Sequence, residues 1–223
     1  MDKKLVAQAL IKFLFGIIMA GVLIFLPAGT LSFGNGWVLM GVLFIPMFFA
    51  GLIMAFKSPE LLRKRLSSKE KQKDQQTVVK LSGLMFIAGF ILTGLGYRYD
   101  WYQLPGWVVT VSAIILLLSY AMYMEVMREN AYLSRTIEVQ EGQKVIDTGL
   151  YGIVRHPMYT ATILLFLSMP LVLGSVYSFL IFLVYPFIIA KRIKGEEALL
   201  ESELEGYAEY KRKVKYRLIP FIW

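Results

Sequence analysis

Residues 149 to 161, GLYGIVRHPMYTA, set a cation, an imidazole and two tyrosines together where the chain enters a charge-free block running from Met158 to Ala190. Pro157 suits the first turn of a helix, because the N–H it lacks would have had no helical partner there. His156 then stands at that helix's N-terminal end, where unpaired N–H groups and the helix dipole favour an anion such as a carboxylate. Taken alone, Arg155 and His156 read either as interfacial anchors or as part of a site.

A second cluster follows the block. Lys191-Arg192-Ile193-Lys194-Gly195-Glu196-Glu197 places Arg192 and Glu196 four residues apart, on one face of a helix that continues through Gly195. The pair reads as a salt bridge or as a functional couple. Glu197 adds a carboxylate able to take a proton from an amine acceptor. Upstream, Glu141-Gly142 signals a turn, and Gly149 allows close backbone approach before Tyr151. Cysteine is absent and histidine occurs once, which excludes disulfides, thiolate catalysis and a Cys/His metal cluster. No metal is expected.

The elements that must position these groups are membrane helices. The chain is 57% hydrophobic and 18% charged, and its apolar residues fall in long blocks instead of being spread at the period of a surface helix. Windows at Leu5 to Leu26, Trp37 to Phe56, Leu81 to Tyr97 and Trp107 to Met124 match the roughly 20 residues that span a bilayer. The block from Met158 to Ala190 is too long for one ordinary span and is punctuated by Pro170 and Gly174, so it reads as a helical hairpin with short arms. The expected fold is therefore all-α and polytopic, with about six transmembrane helices. Lys3 and Lys4 precede the first window, but its length and the lack of a small-residue cleavage site favour a retained helix over a signal peptide.

Basic residues set the expected topology. With six crossings, all clusters of lysine and arginine fall on one face and only Arg98 lies on the other, which puts both termini in the cytoplasm. The net charge of +8 is thus assigned to helix orientation and contact with anionic lipid, and no nucleic-acid partner is expected. The connection from Lys57 to Lys80 reads as a solvated, partly helical loop. Lys191 to Val214, with Leu199, Leu200, Leu204, Tyr207 and Val214 at near-helical spacing, reads as a cytoplasmic amphipathic helix. No internal repeat is present, so residues 1–223 form one domain: 1–128 a helical scaffold with the acceptor groove, 129–223 the cofactor-binding region.

The ordered pattern RHPMY, charge-free hairpin, R-x-x-x-E-E and terminal EYKRKV with IPF resembles the isoprenylcysteine carboxyl methyltransferase and phospholipid methyltransferase family over residues 135–223. The resemblance implies an integral-membrane enzyme that binds S-adenosyl-L-methionine outside any Rossmann sheet. No glycine-rich strand-turn-helix motif is present here, in keeping with that. By position, the cofactor would be held by Gln143, Lys144, Val145, Ile146, Tyr151, His156, Pro157, Met158, Tyr159 and Glu196, with a further contact near Arg135 or Thr136. Arg192 would face the acceptor, with Arg155 as a further contact to it. Ala161 departs from the glycine common in the family at that place.

The implied acceptor is a lipid or prenylated molecule, with carboxyl methylation of an isoprenylcysteine first and N-methylation of a phospholipid headgroup as the alternative. Two rivals lie outside that chemistry. One is a sterol-reductase-like enzyme using NADPH, with Lys144, Lys194 and Lys211 as candidates for the 2′-phosphate. The other is a non-catalytic membrane scaffold.

Overall fold

The computed structural model describes residues 3–66, 73–134 and 137–223. The regular elements of the described chain are helices: α1 (Lys3–Ala28), α2 (Gly34–Lys57), α3 (Pro59–Leu66), α4 (Lys73–Arg98), α5 (Gly106–Glu129), α6 (Pro157–Val172), α7 (Val176–Phe182), α8 (Tyr185–Glu203) and α9 (Tyr207–Lys213), with a 3-10 turn at Gly149–Gly152. Five runs are long and apolar enough to cross a membrane: Lys3–Ala28, Gly34–Lys57, Gln76–Arg98, Gly106–Glu129 and Val176–Glu203. Pro157–Val172 is apolar but shorter. The protein is thus an all-α, polytopic membrane protein.

Lipid tails are as apolar as leucine, so membrane helices associate through close packing at small residues. Gly94 of α4 illustrates this, since a Cβ added there would stand 2.5 Å from the Ile24 carbonyl oxygen and 2.9 Å from the Ala28 nitrogen of α1. Gly89 likewise leaves room for the Phe182 ring, which joins Phe86 and Phe90 in an aromatic cluster between α4 and α7. Overpacking such a seam costs about 1–3 kcal/mol. Gly94→Ala is therefore expected to lower the thermal unfolding midpoint in detergent, whereas Gly83→Ala, where a Cβ meets nothing within 4 Å, leaves it unchanged.

The turn between α6 and α7 carries Gly174 at φ +76°, a conformation that favours glycine. Its carbonyl accepts from the Leu104 N–H at 2.8 Å, and Ser175 pairs antiparallel with Gln103. The tip of the α6–α7 turn is thereby fastened to the connection between α4 and α5. Pro186 limits the run that follows: lacking an N–H, it sits in the first turn of α8, so α7 stops at Phe182 and α8 restarts at Tyr185.

Two expectations change. The polar stretch from Lys191 to Val214 is two helices, not one: α8 carries the apolar run through Lys191 to Glu203, Gly206 turns the chain at φ +82°, and α9 begins at Tyr207. Leu204, Tyr207, Tyr210 and Val214 still form one buried face, packed on Val139, Val145 and Leu200. The connection after Lys57 is also not wholly solvated. Leu61 and Leu62 of α3 are buried, Lys64 Nζ donates to the Ala131 carbonyl at 3.3 Å, and the Arg65 guanidinium stands 5.3 Å from the Tyr123 ring. The adjacent leucines give this short basic helix a face to bury, and it underlies the segment that follows α5.

Candidate active site

A cavity opens where the end of α5, the irregular segment 130–148, the start of α6 and the middle of α8 meet, with α9 closing one side. It encloses about 840 Å³ of atom-free space, open solvent at its mouth included. Gln143, Lys144, Val145, Ile146, Tyr151, Arg155, His156, Met158, Tyr159, Arg192 and Glu196 all line it. Pro157 and Glu197 are not among the lining residues. Arg135 and Thr136 lie outside the described residues.

One wall is built by a three-residue link. Arg192 Nε donates to the Tyr159 hydroxyl at 2.9 Å, and that hydroxyl donates to Glu196 Oε2 at 2.6 Å. The i, i+4 couple read from the sequence therefore runs through a tyrosine from the neighbouring helix. Tyr159 is 5% exposed and fully committed, so its hydroxyl orients Arg192 and Glu196 instead of meeting a ligand.

Behind this wall Glu197 gathers two guanidinium groups and an imidazole. Its Oε1 accepts from Arg155 Nε at 2.8 Å and faces His156 Nε2 at 3.1 Å, and its Oε2 accepts from Arg217 Nε at 2.9 Å. Arg155 Nη1 also donates to the carbonyls of Val214 and Lys215. The backbone N–H groups of Arg155 and His156 donate to the carbonyls of Tyr216 and Arg217, both at 2.9 Å. The C-terminal strand of chain after α9 is thus laced to the Arg-His-Pro segment. Both oxygens of Glu197 are engaged away from the cavity, and the Arg155 guanidinium is turned to the same cluster. The start of α6 is more satisfied than the sequence suggested, since the Tyr159 N–H donates to the His156 carbonyl at 3.0 Å, one residue before the ordinary helical bonds begin.

The opposite wall rests on local turns. Asn130 ends α5, accepting from Tyr132 N–H at 2.9 Å and donating to the Tyr151 hydroxyl at 3.0 Å. Gln143 accepts from the Gln140 N–H at 2.9 Å around Gly142, which has φ +68°. Burial raises the pKa of Tyr151, Tyr207 and Tyr210, and the Glu197 carboxylate raises that of Tyr207 and Tyr210 further. All three phenols are therefore neutral donors near neutral pH. Tyr210 donates to the Tyr151 carbonyl at 2.8 Å, while the buried Tyr207 hydroxyl has no partner among the described residues.

Asn130, Tyr132, Glu138, Tyr207 and Tyr210 line the cavity and were not read as site residues. Tyr207 and Tyr210, three apart, carried only the signal of a packed helix face. Asn130 carried the signal of a helix end, and its reach to Tyr151 becomes apparent only when α5 and the 3-10 turn are side by side.

Residues 99–202, just under half of the chain, match the isoprenylcysteine carboxyl methyltransferase (ICMT) family. This ICMT segment takes in α5, most of the cavity lining, α6, α7 and nearly all of α8, and leaves α1 to α4, α9 and the C-terminal strap outside. The Delta(14)-sterol reductase TM7SF2 of Mus musculus is 28% identical over 91 residues, 40% of this chain and 22% of that protein. The Delta(14)-sterol reductase of Methylotuvimicrobium alcaliphilum is 22% identical over 137 residues, 55% of this chain and 32% of that protein. The chain thus spans at most about a third of the length of these curated relatives. A solved structure of the eukaryotic intramembrane Ras methyltransferase ICMT aligns over 97% of this chain and 86% of its own, with 16% identity and a TM-score of 0.49.

Proposed function

We propose that this protein transfers a methyl group from S-adenosyl-L-methionine to a lipophilic acceptor, most specifically the carboxylate of an isoprenylcysteine. The observation that carries the reading is the coincidence of the ICMT segment with a cavity whose wall is the Arg192–Tyr159–Glu196 link. The donor set fits the cofactor. Glu196 and Glu138 bring carboxylates for an amino group, a ribose or a positive sulfur, and Tyr151 and the apolar Ile146, Leu200 and Leu204 suit an adenosyl group. The orphaned Tyr207 hydroxyl offers a further donor.

When bound, S-adenosyl-L-methionine supplies a methyl group already activated by attachment to a positively charged sulfur. The protein has then to align an acceptor and exclude water. Arg192, its Nε bonded to Tyr159, brings a planar guanidinium to the cavity wall, a shape that suits recognition of an acceptor carboxylate. A carboxylate acceptor has no proton to lose. That agrees with a Glu197 whose oxygens are both occupied, and it disfavours a phospholipid amine, which needs a base. His156 and Arg155 hold Glu197 and the C-terminal strap, and we assign them to positioning the wall of the cavity.

In the bilayer, α6 and α7–α8 form the last two of six crossings, with both termini on the basic, cytoplasmic face and α9 lying at the surface. The cavity lining begins at Asn130, which supports 1–128 as scaffold and acceptor groove and 129–223 as the cofactor-binding region.

The names of the curated relatives favour a second reading, an NADPH-dependent sterol reduction. Of the cations that would meet a 2′-phosphate, Lys144 lines the cavity, but Lys194 does not, and Lys211 is paired with Glu201. Titrating the purified protein with each cofactor separates the readings. Saturable binding of S-adenosyl-L-methionine together with radiolabelled methyl transfer to N-acetyl-S-farnesylcysteine is the expected result. Saturable NADPH binding without S-adenosyl-L-methionine binding overturns the proposal, and cofactor binding with no turnover on prenylcysteine or total lipid favours the scaffold.

A further inference from the structure

We propose that the groove between α1 and α2 holds one acyl chain of an anionic phospholipid, whose phosphate is met by Arg98. By the charge pattern this site lies on the face away from the basic clusters; it shares no lining residue with the cavity and does not depend on the methyl-transfer reading. The groove is concave because Gly21 and Gly29 contribute no side chains to it, while Phe25 and Trp37, with ring centroids 4.7 Å apart, form part of its wall. From Ile17 to Gly29 at the helical rise it extends about 18 Å, close to half of the ~30 Å hydrocarbon core. One leaflet's chain therefore fits its length, and a headgroup falls at the Gly29 end.

Arg98 stands at that end. A Cβ added at Gly29 would meet Arg98 Nε at 3.5 Å and Cζ at 3.6 Å, so the guanidinium rests against the groove's last residue. Arg98 is exposed, faces the Tyr99 ring at 5.8 Å, and makes no ion pair among the described residues. It is the single cation that the charge pattern leaves on this face. An anion beside an apolar tail satisfies both features at once. A net-negative headgroup such as phosphatidylglycerol is favoured over phosphatidylcholine, whose own ammonium competes for the phosphate. A second copy of this chain seated here would bury Arg98 against apolar surface without an acceptor.

Native mass spectrometry of the full chain, released from micelles doped with chain-matched phosphatidylglycerol and phosphatidylcholine, tests the site. The wild type is expected to retain one phosphatidylglycerol in preference to phosphatidylcholine. Arg98→Gln should lower phosphatidylglycerol retention roughly fivefold, to the phosphatidylcholine level, as for loss of one cation near a lipid surface. Gly21→Ile, which fills the groove where a Cβ meets only the end of Met40, should lower retention of both lipids while the unfolding midpoint holds. Equal phosphatidylglycerol retention by wild type and Arg98→Gln overturns the proposal, as does a lipid-free homodimer that Gly21→Ile abolishes.

Discussion

Replacing Glu197 by alanine is expected to destabilise the protein by about 3–5 kcal/mol, the usual result of removing one member of a buried charge cluster. The side chains of Glu197 and Arg155 are each 4% exposed, and Arg217 is 27% exposed. Without the carboxylate, Arg155 remains in a dry environment with only the Val214 and Lys215 carbonyls, and His156 loses its charged neighbour. Arg217, nearer water, adds little to the loss. The deficit should appear as a lowered unfolding midpoint in detergent and faster proteolysis after Val214, with no need of substrate. Arg155→Met combined with Glu197→Leu should recover part of it, because an apolar pair of similar volume removes the uncompensated charge. A variant Glu197→Ala as stable as wild type would mean that the cluster is not formed.

Arg192 and Glu196 are expected to separate turnover from cofactor affinity. Arg192→Ala should lower kcat by roughly 10²–10³-fold, the scale for losing one preorganised group that fixes charge at the reacting centre, and leave the Kd for S-adenosyl-L-methionine unchanged. Glu196→Ala should raise that Kd about 10- to 100-fold, the value of a hydrogen bond to a charged group at 1.4 kcal/mol per decade. It should also slow turnover, because the Tyr159 hydroxyl loses its acceptor and with it the restraint on Arg192. Tyr159→Phe keeps both charges and cuts the link, so its expected signature is a lower kcat at near-normal cofactor affinity. Unaltered affinity in Glu196→Ala would place the cofactor elsewhere. Isothermal titration with the cofactor, beside initial rates on a prenylcysteine analogue, reads both quantities.

Composition and the length of the apolar blocks carried the fold, because only a membrane rewards five runs of that kind. Pro157 and Gly174 marked the start of α6 and the turn after it, since each restricts the backbone in a way readable from residue type. The site was legible as two clusters but not as a geometry. No spacing rule could insert the Tyr159 hydroxyl between Arg192 and Glu196, because the three residues come from two helices. Glu197 looked free to take a proton, since Arg217, one of its partners, lies twenty positions away and is brought in by the strap after α9. The α3 leucines were hidden by their neighbours: in PELLRKRL the charges dominate, and the burial of Leu61 and Leu62 depends on what lies underneath.

The clasp between Gly174 and Leu104 bears on how the walls of the cavity are held. The helices that carry Tyr159, Arg192 and Glu196 are fastened at the far end by that clasp and at the near end by Glu197 and the strap. Neither end can swing without breaking several bonds at once. The facing side, from Asn130 to Thr148, has no regular structure in its described parts and is tied down by side chains, Lys64 to the Ala131 carbonyl, Arg65 to the Ser134 carbonyl, Asn130 to Tyr151 and Lys213 to Asp147. The two walls of the cavity are thus held by different means, one by backbone bonds and a buried ion cluster, the other by side chains that reach it from α3 and α9.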